Sequence, residues 1–294
     1  MKRECGVEGD RTLDLGIANA ALSQLSYHPG EARFYRLSRP RNNALSSRLM
    51  QINAPFGYKK IVPLRRDHKV RLLAPGEVPE FARGLNAIPI SFAEFGPVAH
   101  DYPIAFASGD GGKTYAPVAV LGLASGENLF CNASAWAPSM YVPAYARRFP
   151  FCMATVTLDN VQQQNRLICV ETDHVEDAAG EPMFDAQGQP LEKWKTIERL
   201  LAEYEADLER CRELCSILAD YGLLEPFTMQ ANLNQGGSLQ LAGMHRVSEK
   251  KLEALNAAQL RNLLKKGILA RAYAHALSLD NFARLLERRA ARAA

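Results

Sequence analysis

The clearest periodic signal in the chain lies between residues 191 and 221. Trp194, Ile197, Leu201, Tyr204, Leu208, Cys211, Cys215 and Leu218 recur at steps of 3, 4, 3, 4, 3, 4 and 3. Steps averaging three and a half residues put all eight on one face of an α-helix. Gly222 supplies the stop, because glycine takes the left-handed conformation that ends helices. A helix from Leu191 to Tyr221 would run roughly 46 Å at 1.5 Å per residue. So narrow a stripe fits a partner helix, and a homodimer through helix 191–221 is one arrangement it allows. Leu200 and Leu214 widen the apolar face. That favours the alternative, in which the helix lies across the chain's own sheet. Cys211 and Cys215 share this face at i, i+4 and read as two core residues rather than a redox pair.

Upstream of the helix the period changes. Residues 57–64, 87–95, 104–107, 118–123, 129–131, 152–158 and 166–171 are short runs rich in β-branched and apolar residues, bounded by Gly and Pro. They read as strands, with Pro63 confining the first to an edge. A short helix is expected over 94–101. Residues 180–190 carry turn chemistry, Gly180-Glu-Pro and Asp185-Ala-Gln-Gly188, and read as a small hairpin or loop. Downstream, residues 227–233 and 238–244 form a hairpin through Asn234-Gln-Gly-Gly237. Ser248 opens a final helical section. Asn256 with Gln259 makes a capping box, and Gly267 closes that helix. Helices from about Leu269 and Leu279 finish the chain, and Arg284, Arg288, Arg289 and Arg292 suit the negative end of the last one. Strands without long helices between them favour antiparallel pairing. The expected fold class is therefore α+β: a mostly antiparallel sheet, one long helix and a helical C-terminal cap.

Charge and composition divide the chain in two. It has 294 residues and a formal net charge of +3, with 35 Lys and Arg against 32 Asp and Glu. Residues 1–49 hold eight basic and five acidic side chains, so residues 50–294 hold 27 of each, from 35−8 and 32−5. The main body is neutral, which argues against nucleic acid as a partner. Residues 10–30 are similar to the conceptual translation of a transfer-RNA gene, and residues 33–48 carry five arginines and no acid. Residues 1–49 are accordingly expected to be a non-native or disordered extension, with translation starting at Met50. The alternative is a genuine arm in which Leu15, Ala18, Leu22 and Leu25 share a helical face. No run approaches the length of a membrane span. The basic start, Met1-Lys2-Arg3, is followed by acids rather than an apolar stretch, so a secretory signal is not expected. Six cysteines without a CxxC spacing read as small buried residues of a reducing compartment. These features place the protein in the cytoplasm or peripherally on the cell envelope.

Few side chains group into recognisable chemistry. Residues 107–114, Ala-Ser-Gly-Asp-Gly-Gly-Lys-Thr, formally satisfy a permissive phosphate-loop pattern. A helix should follow such a loop, but Tyr115-Ala-Pro-Val-Ala-Val is a strand, so a Gly-rich hairpin turn is the better reading. Glu171, Asp173, His174, Glu176 and Asp177 gather oxygen and imidazole groups that suit a divalent cation. Their spacing is not that of a standard metal site, and a solvated loop is favoured. Glu94 with His100 and Asp101 is an acid–base set in type, although neighbouring side chains diverge. Ser134, Ser139 and His245 form no nucleophile motif. The best candidate for ligand contact is Arg147 and Arg148 beside Tyr141 and Tyr145, because Arg grips carboxylates and phosphates bidentately and stacks on aromatic rings. The competing role is an anchor for acids of the same domain. No catalytic residue, metal ligand or cofactor is assigned.

Several blocks in order resemble the bacterial SapC family. They are Leu85-Asn-Ala-Ile-Pro-Ile90 with Ala93-Glu-Phe95; His100-Asp-Tyr-Pro-Ile104; residues 117–123 and 127–130; Tyr141-Val-Pro-Ala-Tyr-Ala-Arg-Arg-Phe-Pro-Phe151; Gly243 with Arg246-Val247, Leu252 and Leu255; and Tyr273-Ala-His275 with Leu277-Ser-Leu279. The resemblance runs from about Met50 to the C-terminus and makes 50–294 a SapC-like domain. It implies a non-catalytic protein of the bacterial cell surface or surface layer, or an accessory binding protein with a protein or envelope partner. The alternative it leaves is an enzyme, or an enzyme's accessory, in small-molecule uptake or modification, of the kind encoded beside halogenases and nutrient-uptake systems.

Overall fold

The computed structural model describes residues 12–14, 50–132, 135–158, 161–162, 166–232 and 238–293. Two sheets carry the fold. The larger is built from β1 (Thr12–Asp14), β5 (Ala87–Pro89), β6 (Ile104–Ala107), β7 (Ala116–Val120), β12 (Leu224–Asn232) and β13 (Ser238–Val247). Its strands run β5-β7-β6-β13, with β12 on the far side of β13. All of these pair antiparallel. The short β1 joins parallel, against Gln240–Ala242 of β13. The register of β12 against β13 shifts between Phe227 and Met229. Gly243 stands opposite that shift with φ +79°, a backbone region that glycine enters without strain.

The smaller sheet contains β2 (Met50–Asn53), β3 (Ile61–Pro63), β8 (Phe151–Leu158), β9 (Val161–Gln162) and β10 (Leu167–Glu171). Its order is β2-β8-β10-β3, with β9 also on β8. As expected, Pro63 lies in an edge strand, where a missing N–H is harmless. A third, two-stranded pairing joins β4 (Lys69–Val70) to β11 (Glu181–Pro182).

Helix α3 (Glu192–Asp220) links the two sheets and is the element that the periodicity predicted. At 1.5 Å per residue it is about 44 Å long. Its stripe splits between two cores. Trp194 and Leu201 pack with Phe151, Met153 and Val170 of the smaller sheet. Tyr204, Leu208, Cys211, Leu214, Cys215 and Leu218 join the main core over the larger sheet. The face thus lies on the chain's own sheets, and any partner would meet the outer face. That face carries intrahelical ion pairs such as Lys195–Glu192 and Arg199–Glu203.

Some expected strands are shorter or absent. The run 87–95 stays extended only to Pro89, because the Ser91 N–H turns to the Glu94 carboxylate at 2.7 Å and starts a 3₁₀ turn. Helix α1 (Phe95–Asp101) follows directly. Residues 129–131 contribute one isolated bridge, Cys131 to Trp136. Residues 180–190 begin with β11, which pairs with β4, and then close on themselves as a small hairpin through the antiparallel bridge Phe184–Pro190, with Asp185 capping the turn at Gln187 and Gln189.

The C-terminal cap comprises α4 (Glu249–Glu253), α5 (Ala257–Lys265), α6 (Ile268–Ser278) and α7 (Asn281–Ala293). The Asn256 side chain accepts from Ala258 and Gln259, as its capping signature predicts. His275 of α6 is fully buried and pins the cap to the larger sheet. Its Nδ1 meets the Ile104 carbonyl at 2.9 Å, and the Val247 N–H donates to its Nε2 at 3.1 Å. The arginines of α7 do more than offset the helix dipole. Arg284 and Arg292 donate to the carbonyls of His100, Asn128 and Cys131, Arg289 pairs with Glu127, and Arg288 lies over the Phe130 ring.

Candidate functional site

Residues 141–151 follow β7 of the larger sheet in the chain and run into β8 of the smaller one. Carboxylates from α1 and the turn before it hold this segment. Asp101 Oδ2 accepts from the Tyr141 N–H at 2.7 Å. Glu94 Oε1 accepts from the Ala144 N–H at 2.6 Å and from the Tyr141 hydroxyl at 3.0 Å. The Tyr102 hydroxyl donates to the Tyr141 carbonyl. Helix α2 (Ala144–Arg147) is one turn long, so consecutive side chains leave it in different directions.

Arg147 leaves outward. Its Nε donates to the Val142 carbonyl at 2.9 Å and its Nη2 to the Tyr141 hydroxyl at 2.9 Å. Burial first, and the Glu94 carboxylate second, raise the Tyr141 phenol above its usual range. Arg147, Tyr141 and Glu94 thus form one chain of contacts that clips the segment to α1.

Arg148 leaves inward, and its side chain is 2% exposed. Its guanidinium carbon lies 4.2 Å from the Tyr145 ring centre, 4.8 Å from Tyr204 and 5.8 Å from Tyr58. Glu205 of α3 approaches Nη1 at 3.8 Å and also pairs with Arg166. Burial opposes the charge on Arg148, but the three tyrosines and Glu205 more than offset it, so the charged form is favoured. Burial pushes the Glu205 carboxyl up, and Arg166, Arg148 and Arg212 pull it back. The hydroxyls of Tyr58 and Tyr145 are committed to the carbonyls of Phe151 and Phe56, each at 2.6 Å. Arg148 Nε, Arg148 Nη2 and the Tyr204 hydroxyl are buried without a hydrogen-bond partner.

An open cleft of about 320 Å³ lies beside this cage. Phe81 and Phe149 line it, together with Arg71, His174, Lys59 and Glu171. The same two rings contact the cage, Phe149 at 5.3 Å from Tyr58 and Phe81 at 5.9 Å from Tyr145. Gly57 lets Phe81 lie there, since a Cβ on Gly57 would fall 2.5 Å from the Phe81 ring. Most charges in the cleft are paired internally. Glu171 accepts from the Lys59 and Lys60 amides, Lys59 pairs with Glu80, and Arg71 reaches Glu77 and Glu176. Arg71 Nη2 donates to His174 Nε2 at 3.1 Å, while His174 Nδ1 faces the Arg71 carbonyl at 2.7 Å. With the Arg71 guanidinium as donor, Nε2 accepts and Nδ1–H donates to the carbonyl.

Compared with known families, residues 65–285 match SapC. The chain belongs to the SapC family. No match was found among curated proteins or solved structures. Its most distinctive block, Tyr141–Phe151, is the segment just described.

In this SapC-family chain the structure separates the four residues expected to contact a ligand. Tyr141 with Arg147 closes the outer surface, and Tyr145 with Arg148 lies in the cage. Glu94, His100 and Asp101 do not converge: both carboxylates are spent on the 141–144 backbone, and His100 is exposed. Residues 107–114 are the turn of the β6–β7 hairpin. Asp110 accepts from the Thr114 amide and hydroxyl there, and from the Ser108 hydroxyl and Lys113 amide, and these bonds, Thr114's above all, hold its carboxyl down to about 2. The stretch 171–177 is less solvated than expected, because Glu171 and His174 are buried. Among the described residues no group of His, Cys, Asp and Glu could hold a metal ion. Ser134 lies outside the described residues. The described cysteines are buried and unpaired, and burial pushes the Cys169 thiol up to about 12.

Sequence reasoning missed the other walls of the cage. Tyr204 stood out only as one member of the helical stripe, Tyr58 only as part of a strand-like run, and Glu205 not at all. No local pattern links positions this far apart in the chain.

Proposed function

We propose that this SapC-family chain is a non-catalytic binding protein associated with the bacterial cell surface, acting as an accessory to a protein or envelope partner. Residues 50–294 form the functional domain. Tyr141, Tyr145, Arg147 and Arg148 form its ligand-contact region, with Arg147 and Tyr141 on the outer surface and Arg148 and Tyr145 within. The observation that carries this reading is the contrast in how the polar groups are used. The acid–base candidates are consumed in holding backbone, whereas the Arg148 guanidinium keeps hydrogen-bonding capacity in reserve. The proposed association is peripheral; among the described residues no helix is long and apolar enough to cross a membrane. Fractionation of the native host tests it. The protein should sediment with envelope material and be released by salt without detergent. A wholly soluble pool with no co-purifying partner would overturn the envelope assignment.

A second reading, an enzyme or enzyme accessory in small-molecule uptake or modification, draws on the cleft in which His174, Asp173 and Arg71 meet. Under it, His174→Ala would abolish turnover of a small substrate while leaving partner binding intact.

A further inference from the structure

The two orphaned nitrogens of Arg148 are not an arbitrary pair. Nε–H and one Nη2–H lie parallel on the same edge of a guanidinium, and that edge receives both oxygens of a carboxylate side-on. The rings of Tyr58, Tyr145 and Tyr204 attract the positive charge through their π-faces. The Tyr58 hydroxyl also hydrogen-bonds the guanidinium, yet Nε and Nη2 keep no partner. Glu205 approaches the other side of the group, at Nη1, and shares itself with Arg166. The Tyr204 hydroxyl, whose ring stands 4.8 Å from the guanidinium carbon, is a third buried polar group without a partner. Buried donors are almost always satisfied, and one left open is costly. Two open donors on one fixed cation, with an open hydroxyl beside them, therefore describe a receptor rather than a packing accident.

From this we infer that the Nε–Nη2 edge of Arg148 binds a small oxyanion, a carboxylate gripped by both nitrogens with the Tyr204 hydroxyl as third donor. This deepens the ligand-contact reading above and rests on it. The anion source is the carboxylate of a small metabolite or of a chain terminus. The cleft ends on Phe81 and Phe149, the rings that meet Tyr145 and Tyr58, so the cage is approached from there. The surrounding tyrosines set the size limit: the bound group is a carboxylate head, and the remainder of a larger ligand lies in the cleft.

The test uses the full chain with formate and acetate as probes, read by the arginine Nε–H resonance of Arg148 and by the melting temperature. The expected result is a saturable shift of that resonance and a rise in melting temperature with either anion, and no shift with chloride at equal ionic strength. Tyr204→Phe keeps the ring and removes the third donor, and should weaken the binding by roughly tenfold, the worth of one hydrogen bond to a charged group. Arg148→Lys keeps the charge but loses the fork, and should abolish the saturable shift. Ordered water on Nε and Nη2 in a crystal grown in formate, with no shift in solution, overturns the receptor. So does equal binding by the Tyr204→Phe and Arg148→Lys variants. An envelope-associated protein that fails this test would retain the accessory function and lose only the oxyanion, whereas oxyanion binding in a wholly soluble protein would do the reverse.

Discussion

Protonation of His275 should be a principal reason this fold weakens in mild acid. The imidazole is wholly buried in α6, and both ring nitrogens are used. Nδ1–H donates to the Ile104 carbonyl, and Nε2 accepts from Val247. A proton added at Nε2 would face the Val247 N–H that now donates to it. Burial above all, with Arg246 adding to it, lowers the group from 6.5 to about 4. The sign follows directly. Below about pH 6.5 the unfolded chain takes up a proton that the folded chain refuses, so stability falls from there down to about pH 4 and then levels off. A gap of 2.5 pH units corresponds to about 3 kcal/mol, at about 1.4 kcal/mol per unit. His275→Gln supplies the control, because its amide can accept from Val247 and donate to Ile104 without titrating. Denaturant melts of both proteins from about pH 7 to about pH 4 would measure the difference. The wild type should lose about 3 kcal/mol more than the variant, while acid effects from other groups cancel. Parallel losses in the two proteins would refute the argument.

Other outcomes follow from the same contacts. Leu214→Ala, at a fully buried position of α3, should cost about 2–5 kcal/mol in a denaturant melt, and Ile197→Ala, at a partly buried one, distinctly less. Glu94→Gln exchanges the acceptor shared by the Ala144 amide and the Tyr141 hydroxyl for a neutral amide. It should lower stability by about 1–3 kcal/mol and speed hydrogen exchange at Ala144. Asp110→Ala should leave global stability nearly unchanged while exposing the Lys113 and Thr114 amides to exchange, a local fraying visible residue by residue.

The parts of the fold legible in the sequence were those governed by local repetition. The stripe on α3 stands out because eight positions carry one period, and the Asn256 cap because two residues three apart make it. Strand partners were not legible in the same way. β4 and β11 pair across more than a hundred residues, and nothing in Lys69-Val70 or Glu181-Pro182 announces the other. Glu94 and Asp101 showed themselves as carboxylates near a histidine, but their use as backbone acceptors depends on where Tyr141 and Ala144 arrive. The candidate site was legible in the same partial sense. The adjacent arginines and nearby tyrosines were conspicuous, but their separation into an outer clip and an inner cage needed the end of α2, and the cage needed Tyr58 and Tyr204 from elsewhere in the chain.

Because α3 supplies one wall to each core, the order in which the two sheets are completed follows the chain. A ribosome-bound nascent chain has the described strands of the smaller sheet, and the half-helix that seals it, once Leu201 has cleared the exit tunnel. The larger sheet must wait for β13 at Val247, and its seal for His275. During that interval the second half of α3, with Leu208, Leu214 and Leu218, has β7 and the 92–94 turn against it but still lacks β13 and the C-terminal helices of the same core. That interval is when a chaperone would matter most to this protein, and slowing synthesis after residue 220 should lengthen the exposure more than slowing it anywhere earlier.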